Sequence, residues 1–120
     1  MSVRILVVED EAITSEVIAE QLEELGYTVT DTVTSGSEAI TSTAQTVPDL
    51  VLMDISLEGD MDGIAAAAKI REKFHLPVVY LTAHSDDTTL ERAQVTEPFG
   101  YIIKPYSERD LRVAIKNALY

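Results

Sequence analysis

Four short apolar runs, each ending in a charged or hydroxyl-bearing residue, limit what this chain can fold into. Ile5-Leu6-Val7-Val8 runs into Glu9-Asp10-Glu11, and Leu50-Val51-Leu52-Met53 runs into Asp54. Val78-Val79-Tyr80-Leu81 runs into Thr82-Ala83-His84, and Gly100-Tyr101-Ile102-Ile103 runs into Lys104-Pro105. Apolar runs of this length, bounded by loop signals, read as strands buried on both faces. A strand that ends in a polar residue delivers that side chain to the rim of a sheet, where solvent and ligands reach it.

The segments between the runs alternate with them. Residues 3–8 form the first strand. A helical pattern over 11–25 places Ala12, Ile13, Val17, Leu22 and Leu25 on one face, with Glu16, Glu20, Glu23 and Glu24 largely elsewhere. Gly26 is a stop, because glycine tolerates the left-handed cap conformation. Residues 27–33 are rich in β-branched side chains and form the second strand. Ser35, three residues before Glu38, has capping character for a helix over 37–45. After the Asp54 strand comes an acidic loop over 56–62. A helix over 63–74 follows, with Ile64, Ala67, Ala68 and Ile70 available to pack. Ser85-Asp86-Asp87 opens a helix running to about residue 95, and Ser107-Glu108 caps the last one. That helix carries Leu111, Ala114, Ile115, Ala118 and Leu119 on one side.

Five repeats of strand then helix imply an α/β domain, with right-handed crossovers and a parallel sheet covered on both faces. In such sheets ligands sit beyond the carboxyl ends of the strands. Asp10, Asp54, Thr82 and Lys104 all lie at such ends, so they converge on one rim although they span most of the chain.

The length of 120 residues corresponds to one domain, 1–120. There is no cysteine, which excludes disulfides, thiolate metal sites and cysteine nucleophiles. No apolar run approaches the roughly 20 residues of a membrane span, and no signal-peptide pattern opens the chain, so a cytoplasmic protein is expected. The formal charge of −12 argues against nonspecific nucleic-acid binding by this domain. It fits a solvated surface, a cation site, or both.

Glu9, Asp10 and Asp54 would bring carboxylates together that repel one another and raise one another's pKa. A hard cation resolves this. Mg²⁺ prefers oxygen ligands and keeps several waters, so a few carboxylates and a backbone carbonyl suffice. Asp54 is also a candidate nucleophile, since carboxylates form phosphoryl intermediates. Lys104 offers a positive charge and Thr82 a hydroxyl, both suited to phosphoryl oxygens. Taken singly, each residue has a plainer role. A lone Asp at a strand end usually caps a turn, a Lys before Pro is usually solvated, and Glu9-Asp10-Glu11 would favourably charge a helix start. The joint pattern carries the weight: acids, Asp, Thr and Lys at the ends of strands one, three, four and five in turn.

On these motifs, together with Met61-Asp62-Gly63-Ile64, the chain resembles the receiver domain of two-component response regulators over essentially its whole length. The resemblance implies a flavodoxin-like doubly wound (βα)5 fold with strand order 2-1-3-4-5. It implies that Asp54 accepts a phosphoryl group from a phosphohistidine on a sensor histidine kinase or a phosphotransfer protein. Asp10, Asp54 and the backbone carbonyl of Ser56 would bind Mg²⁺, with Glu9 acting through a metal-bound water. Thr82 and Lys104 would hold phosphoryl oxygens. Tyr101 matches an aromatic switch position that turns inward as Thr82 moves. Ser56 and His84 would tune dephosphorylation, and the Lys104-Pro105 peptide would be cis. The face made by the helix over 85–95, the fifth strand and the last helix would meet an output domain or a second copy. The resemblance implies a self-catalysed phosphoacceptor rather than an enzyme, with no membrane partner.

One loop departs from the family pattern. The usual proline after the phosphoacceptor is replaced by Glu58, and the stretch 55–63 is one residue longer, as in receivers that belong to larger sensory proteins. Competing readings are a receiver-like scaffold that is never phosphorylated and a haloacid-dehalogenase-like phosphohydrolase. The latter normally carries a second Asp two residues after its nucleophile, where this chain has Ser56. A flavodoxin-like cofactor module would need a phosphate-binding loop where Glu9-Asp10-Glu11 stands.

Overall fold

The computed structural model describes residues 3–57, 59, 61–82, 91–92, 100–104 and 106–119. Five strands form one sheet: β1 (Arg4–Val8), β2 (Thr28–Val33), β3 (Leu50–Asp54), β4 (Val78–Thr82) and β5 (Gly100–Ile103). All neighbours are parallel, in the order β2-β1-β3-β4-β5. The described helices are α1 (Ala12–Glu24), α2 (Gly36–Thr46), α3 (Gly63–Phe74) and α4 (Glu108–Leu119). Of the helix expected over 85–95, only residues 91 and 92 are described, and both are helical.

Successive side chains of a strand point to opposite faces, so each apolar run feeds two cores. Leu6, Val8, Val51, Met53, Val78 and Tyr80 pack with Ala39 of α2 and with Ala66, Ala67 and Ile70 of α3. Ile5, Val7, Leu50, Leu52, Val79 and Leu81 pack with Ile18 and Leu22 of α1 and with Leu111 and Ile115 of α4. Every residue of β3 and β4 is buried, as runs covered on both sides require.

The helix ends follow their local chemistry. Gly26 takes φ +94° after α1, the Gly26 N–H donates to the Glu23 carbonyl, and the Tyr27 N–H donates to Leu22. Those two bonds form a Schellman cap. Ser35 accepts from the Glu38 N–H at the start of α2. Ser107 and Asp110 cap α4 reciprocally. Asp62 caps α3 by accepting from the Ala65 N–H at 2.9 Å.

The face of α1 differs from the expected one. Its buried residues are Ser15, Ile18 and Leu22, while Ile13 is 79% exposed and Val17 is 45% exposed. Ile13 and Val17 lie one turn apart on the opposite side of the helix from Ile18 and Leu22. Leu22 of the expected face is buried, but small polar Ser15 and Ile18 complete the inner stripe in place of Ile13 and Val17. In α3, Ala66 rather than Ala68 is buried beside Ile64, Ala67 and Ile70.

The start of α3 sits hard against the end of β3. The Gly63 N–H donates to the Ile55 carbonyl at 3.1 Å. A Cβ at Gly63 would collide with the backbone carbonyl of Asp54. Only glycine lets the helix approach this closely. Gly63→Ala is therefore expected to destabilise the domain by about 1–3 kcal/mol, the range for overpacking. Urea denaturation of the variant checks this, and an unchanged midpoint would refute the tight fit.

Candidate functional site at the carboxyl rim of the sheet

Strand order decides which rim residues meet. β1 and β3 are neighbours, so Glu9 and Asp10, just after β1, lie beside Asp54 at the end of β3. Carboxylate oxygens of Glu9, Asp10 and Asp54 all lie within 4.8 Å of one another. Glu9 is fully buried, Asp54 is 5% exposed and Thr82 is 2% exposed. Lys104 follows β5, two strands from β3, and its long stem reaches back across the end of β4. Its Nζ lies 3.4 Å from Asp54 Oδ2 and 3.4 Å from both carboxylate oxygens of Glu9. Backbone bonds from Lys104 N to the Thr82 carbonyl (2.8 Å) and from Ile55 N to the Leu81 carbonyl (3.0 Å) hold the strand ends in register. The Ser56 N–H donates to Asp54 Oδ1 at 2.9 Å.

The electrostatics follow from burial. Desolvation pushes the Glu9 carboxyl up to about 8; the facing Asp54 carboxyl adds to the rise and Lys104 opposes it. Burial pulls the Lys104 ammonium down, but the charges of Asp54 and Glu9 more than offset this and hold it above its ordinary value. A rim with three clustered carboxyls and one ammonium remains short of positive charge. The oxygen-only donor set and a buried glutamate that resists ionising both fit a hard divalent cation.

Glu9, Asp10, Asp54, Thr82 and Lys104 are thus gathered at one rim, as the strand ends implied. Tyr101 lies one strand over, its ring stacked on Tyr80 with centroids 6.0 Å apart. His84, Ala83, Glu58, Asp60 and Pro105 lie outside the described residues, and so does the cis peptide expected before Pro105. The expected output face falls there as well, except for β5, α4 and residues 91–92.

Two neighbours of the rim escaped the sequence reading. Burial raises the Tyr106 phenol, and the charge of Glu9 adds to the rise. Arg92 donates to Asp62 Oδ2 at 2.9 Å, so the carboxylate that caps α3 also carries an ion pair. Neither relation has a spacing signature, because the partners lie far apart in the chain and meet only in the fold.

The raised pKa of Glu9 has a consequence for stability. Between the ordinary glutamate value and about 8 the folded state holds a proton that the unfolded state has lost. That contribution is present in full below the ordinary value and is lost as pH rises through about 8. The metal-free protein is therefore expected to lose stability across this window on raising the pH. Thermal unfolding measured from about pH 5 to pH 9 should show the loss in wild type and a flatter profile in Glu9→Gln. An equal slope in both proteins would contradict the assignment.

Comparison with known proteins agrees with this geometry. The response regulator receiver domain family matches residues 5–116. The transcriptional regulatory protein PdtaR of Mycobacterium tuberculosis is 40% identical over 116 residues, covering 97% of this chain and 56% of the relative. The positive alginate biosynthesis regulatory protein of Pseudomonas aeruginosa is 38% identical over 117 residues, covering 95% of this chain and 46% of the relative. The chain thus spans about half the length of these curated relatives. Among solved structures, the signal receiver domain of a modulated diguanylate cyclase from Desulfovibrio desulfuricans G20 superposes with a TM-score of 0.94 at 34% identity, covering 99% of this chain and 94% of that one. The N-terminal domain of a response regulator/sensory box/GGDEF 3-domain protein from Carboxydothermus hydrogenoformans superposes with a TM-score of 0.88 at 37% identity, covering 97% and 93%. The strand order, the acid rim and these relatives together make the chain a member of the response regulator receiver domain family.

Proposed function

We propose that residues 1–120 form one receiver domain that takes a phosphoryl group onto Asp54 and so acts as a cytoplasmic switch in a two-component phosphorelay. The observation that carries this reading is the convergence of Lys104 Nζ and the acid cluster on the Asp54 carboxylate. The donor is a phosphohistidine on a sensor histidine kinase or a phosphotransfer protein. A carboxylate oxygen of Asp54 attacks the phosphorus, a P–O bond forms as the P–N bond breaks, and the imidazole leaves with the electron pair.

Asp10, Asp54 and the backbone carbonyl of Ser56 would hold Mg²⁺, with Glu9 acting through water. The ion, when bound, neutralises charge on the transferring phosphoryl oxygens. Lys104 would exchange its contact with the Asp54 carboxylate for one with a phosphoryl oxygen. The Thr82 hydroxyl would donate to another. The Ser56 N–H, which already donates to Asp54 Oδ1, orients the carboxylate so that its other oxygen is presented for attack. Ser56 and His84 would set how readily water removes the group. The phosphoryl group adds roughly −1.5 to −2 charge, and new contacts with Lys104 and Thr82 bias the domain toward a second arrangement. The readout face would comprise the helix over 85–95, β5 and α4, meeting an output domain or a second copy. The domain turns over no separate substrate; transfer and hydrolysis are self-catalysed.

Intact mass after incubation with a small phosphodonor tests the proposal. One Mg²⁺-dependent, hydroxylamine-labile phosphoryl group is expected on wild type and none on Asp54→Ala. Equal uptake by Asp54→Ala would place the acceptor elsewhere, and no uptake by folded wild type would favour a scaffold role.

A further inference from the structure

β2 closes one side of the sheet, so its outer edge meets no other strand among the described residues. Thr28, Val29, Thr30, Thr32 and Val33 are all β-branched, and the strand holds neither lysine nor proline. An edge of that kind is a ready template for another strand. Asp31 is the exception, a residue type depleted in strands and one that the rim chemistry does not use. The Glu9 N–H donates to the Val33 carbonyl, so Val33 turns its main-chain groups toward β1 and adjacent Thr32 turns its own toward the open side. The Thr32 N–H donates to Asp31 Oδ1 at 2.9 Å, so this outward donor is already taken. The Ser42 hydroxyl of α2 donates to Asp31 Oδ2 at 3.4 Å and steadies the carboxylate. Just before Asp31 the ladder is broken. Ile5 pairs with Val29 and Leu6 with Asp31, which leaves Thr30 as an inserted residue whose hydroxyl donates to the Ile5 carbonyl at 3.4 Å. A bulge of this kind bends and twists the strand that carries it.

We propose that Asp31 guards the open edge of the sheet against a second copy of this chain. Its carboxylate occupies the Thr32 N–H that an added strand would need, and the Thr30 bulge spoils the straight edge beside it. Charge acts in the same direction. The occupant excluded is the β2 strand of another copy, because two identical edges pair about a twofold axis. An antiparallel pairing centred on this stretch would bring the two Asp31 carboxylates close, and like charges facing each other across strands oppose pairing. The guard is local to β2 and α2 and does not rest on the phosphoacceptor reading.

Sedimentation velocity and amide hydrogen exchange over a concentration series test the proposal, in about 0.15 M salt so that charge elsewhere on the surface is screened. Asp31→Thr removes both the cap and the charge and leaves a wholly β-branched edge. Its weight-average mass should climb with concentration toward about twice that of the monomer, the value for a twofold pair. Exchange over residues 28–33 should slow in parallel. Wild type should show no concentration-dependent slowing over 28–33, whatever its other surfaces do. Asp31→Asn is isosteric and keeps an oxygen for the Thr32 N–H, so it preserves the fold and removes the charge alone; it should associate through the same residues, at higher concentration. Asp31→Lys restores a charge to the edge and should behave as wild type. Slowed exchange over 28–33 in concentrated wild type would overturn the proposal. So would a folded Asp31→Thr, or a folded Asp31→Asn if the first does not fold, whose exchange over 28–33 is independent of concentration. Association of either variant without protection of 28–33 would overturn it as well, because another surface would then be responsible.

Discussion

Two carboxyls at the ends of adjacent strands, almost entirely out of water, set the terms for this domain. Glu9 is fully buried and Asp54 nearly so, and their oxygens lie within 4.8 Å. Such a pair cannot be held fully ionised without compensation. Lys104 supplies one positive charge from two strands away, and that reach requires a long flexible stem. β4 lies between β3 and β5, and it ends at the rim in buried Thr82. The tension left by two facing acids and one ammonium gives the rim its appetite for positive charge.

The rest of the fold keeps that rim in register. Strands β3 and β4 are buried throughout, so a slip of one residue would drive every side chain to the wrong face. Gly63 brings the start of α3 against the Asp54 backbone, while the Ser56 N–H fixes one of its carboxylate oxygens. Asp62, capping α3 and paired with Arg92, ties that helix start to the connection between β4 and β5. The Asp54 carboxylate is thus held from its own strand, from the Ser56 N–H and from the start of α3.

Asp54, Thr82 and Lys104 were legible as one rim because each ends or directly follows a strand. An apolar run followed by Asp54, Thr82 or Lys104 announces both the strand and its rim residue, and the alternation with helices announces the parallel sheet. Local caps were equally legible at Gly26, Ser35 and Ser107, since their bonds reach only a few residues. The inner face of α1 was not. Its buried stripe is Ser15, Ile18 and Leu22, and polar Ser15 and exposed Ile13 defeat a reading by hydrophobicity alone. Which stripe faces inward is set by how the helix lies on the sheet, and the composition of the helix alone does not encode that.

The chain by itself determined the described strands and helices, their order and the chemical type of the groups that close the strands, because those depend on neighbours within a turn or a strand. The tertiary structure decided what depends on strands meeting across the sheet. Only the adjacency of β1 and β3 makes Glu9 a proton-holding partner of Asp54. Only the register of β4 against β5 places Tyr101 on Tyr80. Burial then gives those meetings their energy, since a charge or a ring acts strongly on its neighbour once water between them is gone.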